Sequence, residues 1–106
     1  MKTGIELIAE ERARHYLPIA QGGEGWTPEH DDMHAKGEMA QAAIHYAELA
    51  VMQISFPNLR PPLAPIFWPW DEKWWKPKDQ ISNLKRAAAL LASEIDRLQR
   101  LKPPVV

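Results

Sequence analysis

Six of the chain's ten prolines fall between residues 57 and 77, at 57, 61, 62, 65, 69 and 77. Each removes a backbone donor and pushes the residue before it toward extended conformations, so no regular helix crosses this stretch. The stretch also contains WPWDEKWWKP at 68–77, which holds four of the five tryptophans. The chain is thereby predicted to carry an extended, tryptophan-rich arm over 56–78, with helical segments before and after it.

The flanking segments carry helix signals. Thr3 and Glu6 form a capping box, in which each side chain satisfies the other residue's free amide. A helix over 4–16 follows, with Ile5, Ile8 and Ala9 or Arg12 at helical spacing, and it ends at Pro18 and the QGGEG run of 21–25. Thr27-Pro28 reads as a cap followed by proline at the first helical position, opening a second helix over 28–55. Its apolar face is Ala40, Ala43, Ile44, Ala47, Ala50, Val51 and Ile54, and Pro57 stops it. Gly37 is a soft spot in that helix, where the first turns kink or separate.

Asp79 caps the last helix, over 79–101, with Pro103 as its stop. There Ile81, Leu84, Ala88, Leu91, Ile95 and Leu98 step by three and four residues, the spacing of a coiled-coil seam. The second and third helices pair antiparallel and the first closes the side: a single all-α domain over 1–106, a three-helix bundle with a long hairpin and a Pro/Trp-rich extended connection. Ala87, Leu90 and Leu101 add apolar surface beyond what one partner helix covers, which predicts a homo-oligomer.

With 13 basic and 14 acidic residues the net charge is -1, unlike a general nucleic-acid binder, whose phosphate contacts need clustered Lys and Arg. No cysteine is present, so there is no disulfide framework and no Cys-based metal site. MKTGIELIAEERARH is broken by Glu6, Glu10 and Glu11 and lacks a signal-peptide core, and no apolar run is long enough to span a membrane. A soluble cytoplasmic protein without a membrane partner is expected.

Two constellations carry chemistry. On a continuous helix His30, His34, Glu38 and His45 share one face, with Asp31 beside Glu38. Such a stripe suits a polar ligand or a divalent metal, and equally serves as the wet side of an amphipathic helix. His30-x-x-x-His34 lacks the glutamate that a zincin motif places after its first histidine. The second constellation is the arm itself. Tryptophans interleaved with lysines suit stacking on a planar base with a cation near its phosphate, and equally suit covering the open side of the hairpin. Of the four, Trp68 and Trp70 are expected to be more structural, and Trp74 or Trp75, beside Lys73 and Lys76, closer to a ligand. The charged groups Glu10, Glu11, Arg12, Arg14 and Lys85, Arg86, Arg97, Arg100 read as solvated faces.

The segments GIELIAEERARH, EGWTPEHDDMHAKGEMAQAAIHYA, WPWDEKWWKP and NLKRAAALLASEIDRL together resemble a small family of proteins encoded in phages and prophages. The likeness covers nearly the whole chain and brings no catalytic residues. It implies a viral accessory protein in a bacterial cytoplasm. Phage proteins of this size include sponges that sequester nucleotide-derived immune signals, an analogy of class. The chain is also similar to all-α nucleotide pyrophosphohydrolases of the MazG kind, which hold magnesium on acidic residues of two helices. Glu29 and Asp32 reproduce their Glu-x-x-Asp spacing, whereas Glu6, Glu10 and Glu11 depart from their first motif and Glu94 and Asp96 lie two apart.

The leading expectation is a phage-encoded binding protein that sequesters a nucleotide-derived small molecule, of cyclic-nucleotide or ADP-ribose type, without a cofactor. Its candidate ligand-binding residues are Trp26, His30, Asp31, His34, Glu38, His45, Trp70, Trp74, Trp75 and Lys76. A metal-dependent hydrolase using Mg or Mn, and a protein-interaction module presenting the arm as an anchor, are the alternatives.

Overall fold

The computed structural model describes residues 1–60 and 62–102. Pro61 of the arm and Pro103, read as the stop of the last helix, lie outside them. The described chain is all-helical: α1 (Gly4–Tyr16), α2 (Pro28–Asp32), α3 (Glu38–Ser55) and α4 (Gln80–Leu101), with short 3-10 turns at Ile19–Gln21 and Glu72–Trp74. No described helix is long and apolar enough to cross a membrane.

The capping box of α1 forms as its sequence requires, and Thr27 caps α2 by accepting from the His30 amide. The expected helix over 28–55 is two helices. Gly37 takes φ 81°, a left-handed conformation that costs little only in glycine, and it caps α3 while the chain of 33–37 turns. The stripe of His30, His34, Glu38 and His45 therefore does not lie on one helix face.

The pairing of α3 with α4 is antiparallel, since Gln53 meets Asn83 while Tyr46, farther back on α3, meets Arg86, farther along α4. At that first junction the Asn83 side chain donates to Gln53 Oε1 and to the Lys78 carbonyl, and its oxygen accepts from the Lys78 amide. The polar atoms of this buried side chain are thus satisfied, clamping the end of α3 to the start of α4.

The face that α4 turns to α3 differs from the expected one. Asn83, Ala87, Leu90, Ser93, Glu94 and Arg97 are buried, whereas Ile81, Leu84, Leu91, Ile95 and Leu98 are 44% to 60% exposed. The physical reason is that α4 is shared. Both α1 and α2 also pack against it, and they engage polar groups: Arg12 of α1 bonds Asp96 at 2.7 Å, Arg86 lies 3.6 Å from Glu11, and Arg100 bonds Asp32 at 2.7 Å. Rotating the Leu/Ile seam inward would have taken these partners away. Ala87 and Leu90, read as surplus surface for another subunit, are buried within the chain. Glu11 and Arg97, read as solvated, are buried too, and Arg97 pairs with Glu94. On α1, Ile5 is exposed and the buried residues are Glu11 and His15, so that helix docks chiefly through polar groups.

Met39, Ala42, Ala43, Tyr46, Trp68, Ala87 and Leu90 form the core, with Trp26, Trp70 and Trp75 packed against it. The arm thus closes the side of the hairpin through its tryptophans. Trp75 stacks on Tyr46 at 4.8 Å, Trp68 meets Tyr46 edge-on at 5.6 Å, and Trp68 meets Trp70 edge-on at 5.6 Å.

Candidate functional site

Between the arm and the helices lies a cavity of about 290 Å³, near the lower end of the range for small-molecule sites. Trp26, His30, His34, Trp70 and Trp74 form its aromatic wall. Tyr46, Leu90, His15, Lys76 and Arg86 line it from the core side, together with Glu24 and Asp71.

Trp26 arrives there because the chain after α1 folds back on the helix end. The amides of Glu24, Gly25 and Trp26 donate to the carbonyls of Arg14, Leu17 and His15. Gly23 permits this return, since a Cβ there would lie 2.1 Å from the Leu17 carbonyl oxygen. Trp26 then packs between two imidazoles, 4.4 Å from the His15 ring and 5.0 Å from His30. The contacts continue through His30 to His34 at 4.9 Å and on to Trp70 at 5.1 Å.

Each of the two histidines has a polar partner at Nδ1. His30 Nδ1 lies 3.1 Å from the buried Asp31 carboxylate, an acceptor, so Nδ1 carries the proton and a neutral ring keeps Nε2 as an acceptor. At His34, Nδ1 lies 3.3 Å from the Trp70 indole nitrogen and 3.5 Å from the Glu38 carboxylate, so the tautomer decides which of the two it pairs with. Asp31 is itself fixed by the Tyr16 hydroxyl, which donates to it and sits 3.1 Å from Ser93 Oγ. Burial, then the hydrogen bond to Asp31, raises the Tyr16 pKa and keeps its phenol protonated.

On the opposite wall the Tyr46 hydroxyl accepts from the Lys76 amide at 3.0 Å and from Arg86 at 3.3 Å, while Arg86 also donates to the Lys76 carbonyl at 2.8 Å. These bonds tie residues 74–76 of the arm to both long helices. The Lys76 ammonium lies 5.3 Å from the Trp74 ring. Below them, burial disfavours charge on Glu11, but the adjacent His15 and Arg14 outweigh it and hold that carboxyl well below its ordinary range. His15 Nδ1 is buried without a hydrogen-bond partner.

Of the candidate ligand residues, Trp26, His30, His34, Trp70, Trp74 and Lys76 line the cavity. Four stand elsewhere. Asp31 is buried behind His30; Glu38 accepts from the Lys36 amide at the start of α3; His45 bonds Gln41 and lies beside Trp68; Trp75 stacks in the core with its N–H on the Pro62 carbonyl. Trp74 lines the cavity, as one of the Trp74/Trp75 pair was expected to, and Trp70, expected to be more structural, lines it as well. Sequence reasoning missed His15, Glu24, Tyr46, Asp71, Arg86 and Leu90, which no local motif marks; Trp26, quoted in its loop, was the one hint that α1's end takes part. Among the described residues no three His, Asp or Glu side chains are placed to hold a metal ion.

The fold and cavity define a small all-α protein with an aromatic-walled, cation-edged pocket. No protein-family model, curated protein or solved structure matches the chain.

Proposed function

We propose that this is a phage-encoded binding protein that sequesters a nucleotide-derived small molecule in the aromatic cavity. The observation that carries the reading is the aromatic wall, in which Trp70 and Trp74 present indoles to the cavity beside Trp26, with Lys76 and Arg86 at its edge. Indole faces stack on a planar base, at about 1–3 kcal/mol per base, and the cations suit an attached phosphate. The adjacent His30 and His34 imidazoles add hydrogen-bonding groups to that wall. A lysine held beside Trp74 and a backbone already bonded to Tyr46 reduce the ordering cost of binding.

The metal-dependent hydrolase has no comparable support. Its carboxylates are dispersed and engaged by arginines: Asp32 by Arg100, Glu94 by Arg97, and Asp96 by Arg12. Calorimetric titration of the full chain with AMP, ADP-ribose and a cyclic dinucleotide tests the proposal, followed by heat release and chromatography of the bound probe. Micromolar or tighter binding of at least one probe, recovered intact and weakened about 10-fold or more by Lys76→Ala, is the expected result. Absence of binding by all three, or recovery of hydrolysed product, overturns it.

A further inference from the structure

Among the described residues, twenty large hydrophobic side chains are exposed, against ten buried hydrophobic residues. Eight of the exposed ones form two stripes. Ile81, Leu84, Leu91, Ile95 and Leu98 form one continuous stripe along α4, and no charged residue interrupts its three-and-four spacing. On α3, Ile44, Val51 and Ile54 form a second stripe, with Ala47 between Ile44 and Val51 and Ala40 one turn before Ile44.

The two stripes lie on the same side of the hairpin. Taking the helix turn as ~100° per residue, the α4 stripe is centred roughly 150° round from Arg86 and Leu90, which face the cavity and core. On α3 the Ile44, Val51 and Ile54 stripe likewise points away from His45 and Tyr46, which meet the arm. Because the helices run antiparallel, both displacements fall on the side opposite α1 and the arm.

We propose that this face is the interface with a second copy of this chain, in which α4 packs against α4 of the partner and α3 widens the contact. Two observations select a second copy. The α4 stripe has Ile81 and Ile95, with Ala88 between them, at one seam position and Leu84, Leu91 and Leu98 at the other, a β-branched and Leu pattern close to that with which a helix pairs with itself in two-stranded coiled coils. The eight large side chains of the two stripes are each 44% to 63% exposed, a contiguous apolar face of the kind that marks a protein interface. The pairing leaves each cavity on an outer face, and it does not rest on the ligand reading.

Sedimentation equilibrium of the full chain at about 50 µM should return twice its 12.1 kDa mass; a monomer at that concentration overturns the proposal. The Leu91→Lys, Ile95→Lys double variant should dissociate at least about 100-fold more readily while keeping the helical circular dichroism of the parent. A folded double variant that dimerises as tightly as the parent overturns the assignment of the face. Should the double variant lose its helical signal, the single variant Leu84→Glu decides: about 10-fold weaker dimerisation supports the interface and unchanged dimerisation removes it.

Discussion

At Glu11, charge and burial are opposed within one side chain. It is 9% exposed, yet Arg14, Arg86 and His15 surround its carboxylate closely enough to keep it ionised. Its folded pKa lies below the ordinary 4.5, so its stabilising contribution is fully present above about pH 4.5 and is lost as the pH falls toward the depressed folded value. Glu11→Gln should therefore melt below the parent at pH 6 to 7, with the gap narrowing progressively as the pH falls below about 4.5, read by circular dichroism melts at each pH. The tryptophans divide by burial. Trp68, 9% exposed with its N–H on the Asp71 carbonyl, should lose about 3–5 kcal/mol on truncation to Ala. Trp74, 47% exposed, should lose about 0.5 kcal/mol or less in the same denaturant titrations. If the cavity binds a base, Trp74→Ala weakens that binding in a protein whose stability is nearly unchanged.

At the scale of elements, two glycines shape the site by different means. Gly37 has open space around the position of a Cβ, so Gly37→Ala meets only the cost of a left-handed backbone, about 1 kcal/mol. Gly23 is the steric case: a Cβ would also lie 2.4 Å from that of Leu17, so Gly23→Ala forces the loop off the end of α1. About 1–3 kcal/mol of destabilisation is expected, with a change in Trp26 fluorescence as its packing on His15 and His30 opens. At the other end of the molecule, Asn83→Ala strands Gln53 Oε1 and the Lys78 amide in a buried site, and chemical denaturation should register a loss of about 2–3 kcal/mol.

At the scale of the whole molecule the fold is a hairpin covered on one side only. Its radius of gyration of 14.6 Å exceeds the roughly 13 Å of a compact domain near this length, as an open arrangement requires. The covered side carries α1, α2, the arm and the cavity, and the other side carries the two apolar stripes. A chain this small, with much of its core built from alanines, gains limited stability from its own burial, so covering the open side should raise stability as well as mass. The melting temperature of the parent is accordingly expected to rise with protein concentration between about 5 and 200 µM, and that of the folded Leu91→Lys, Ile95→Lys variant to stay constant.

Sequence by itself determined the all-α class, the starts of α1, α2 and α4, and the extended arm, because caps and prolines act on the backbone within a few residues and need no tertiary partner. It also marked Trp26, His30, His34, Trp70, Trp74 and Lys76, since unusual residue types crowd into two short segments. Only the tertiary structure decided that Gly37 breaks the helix rather than softening it, that His45 and Trp75 belong to packing, and that His15, Tyr46 and Arg86 complete the cavity. It also decided which way α4 faces. The heptad pattern describes a face that pairs with a helix but not whose helix it is, and the buried polar positions of α4 are fixed by partners such as Gln53, Glu11 and Tyr16, between 30 and 77 residues away along the chain.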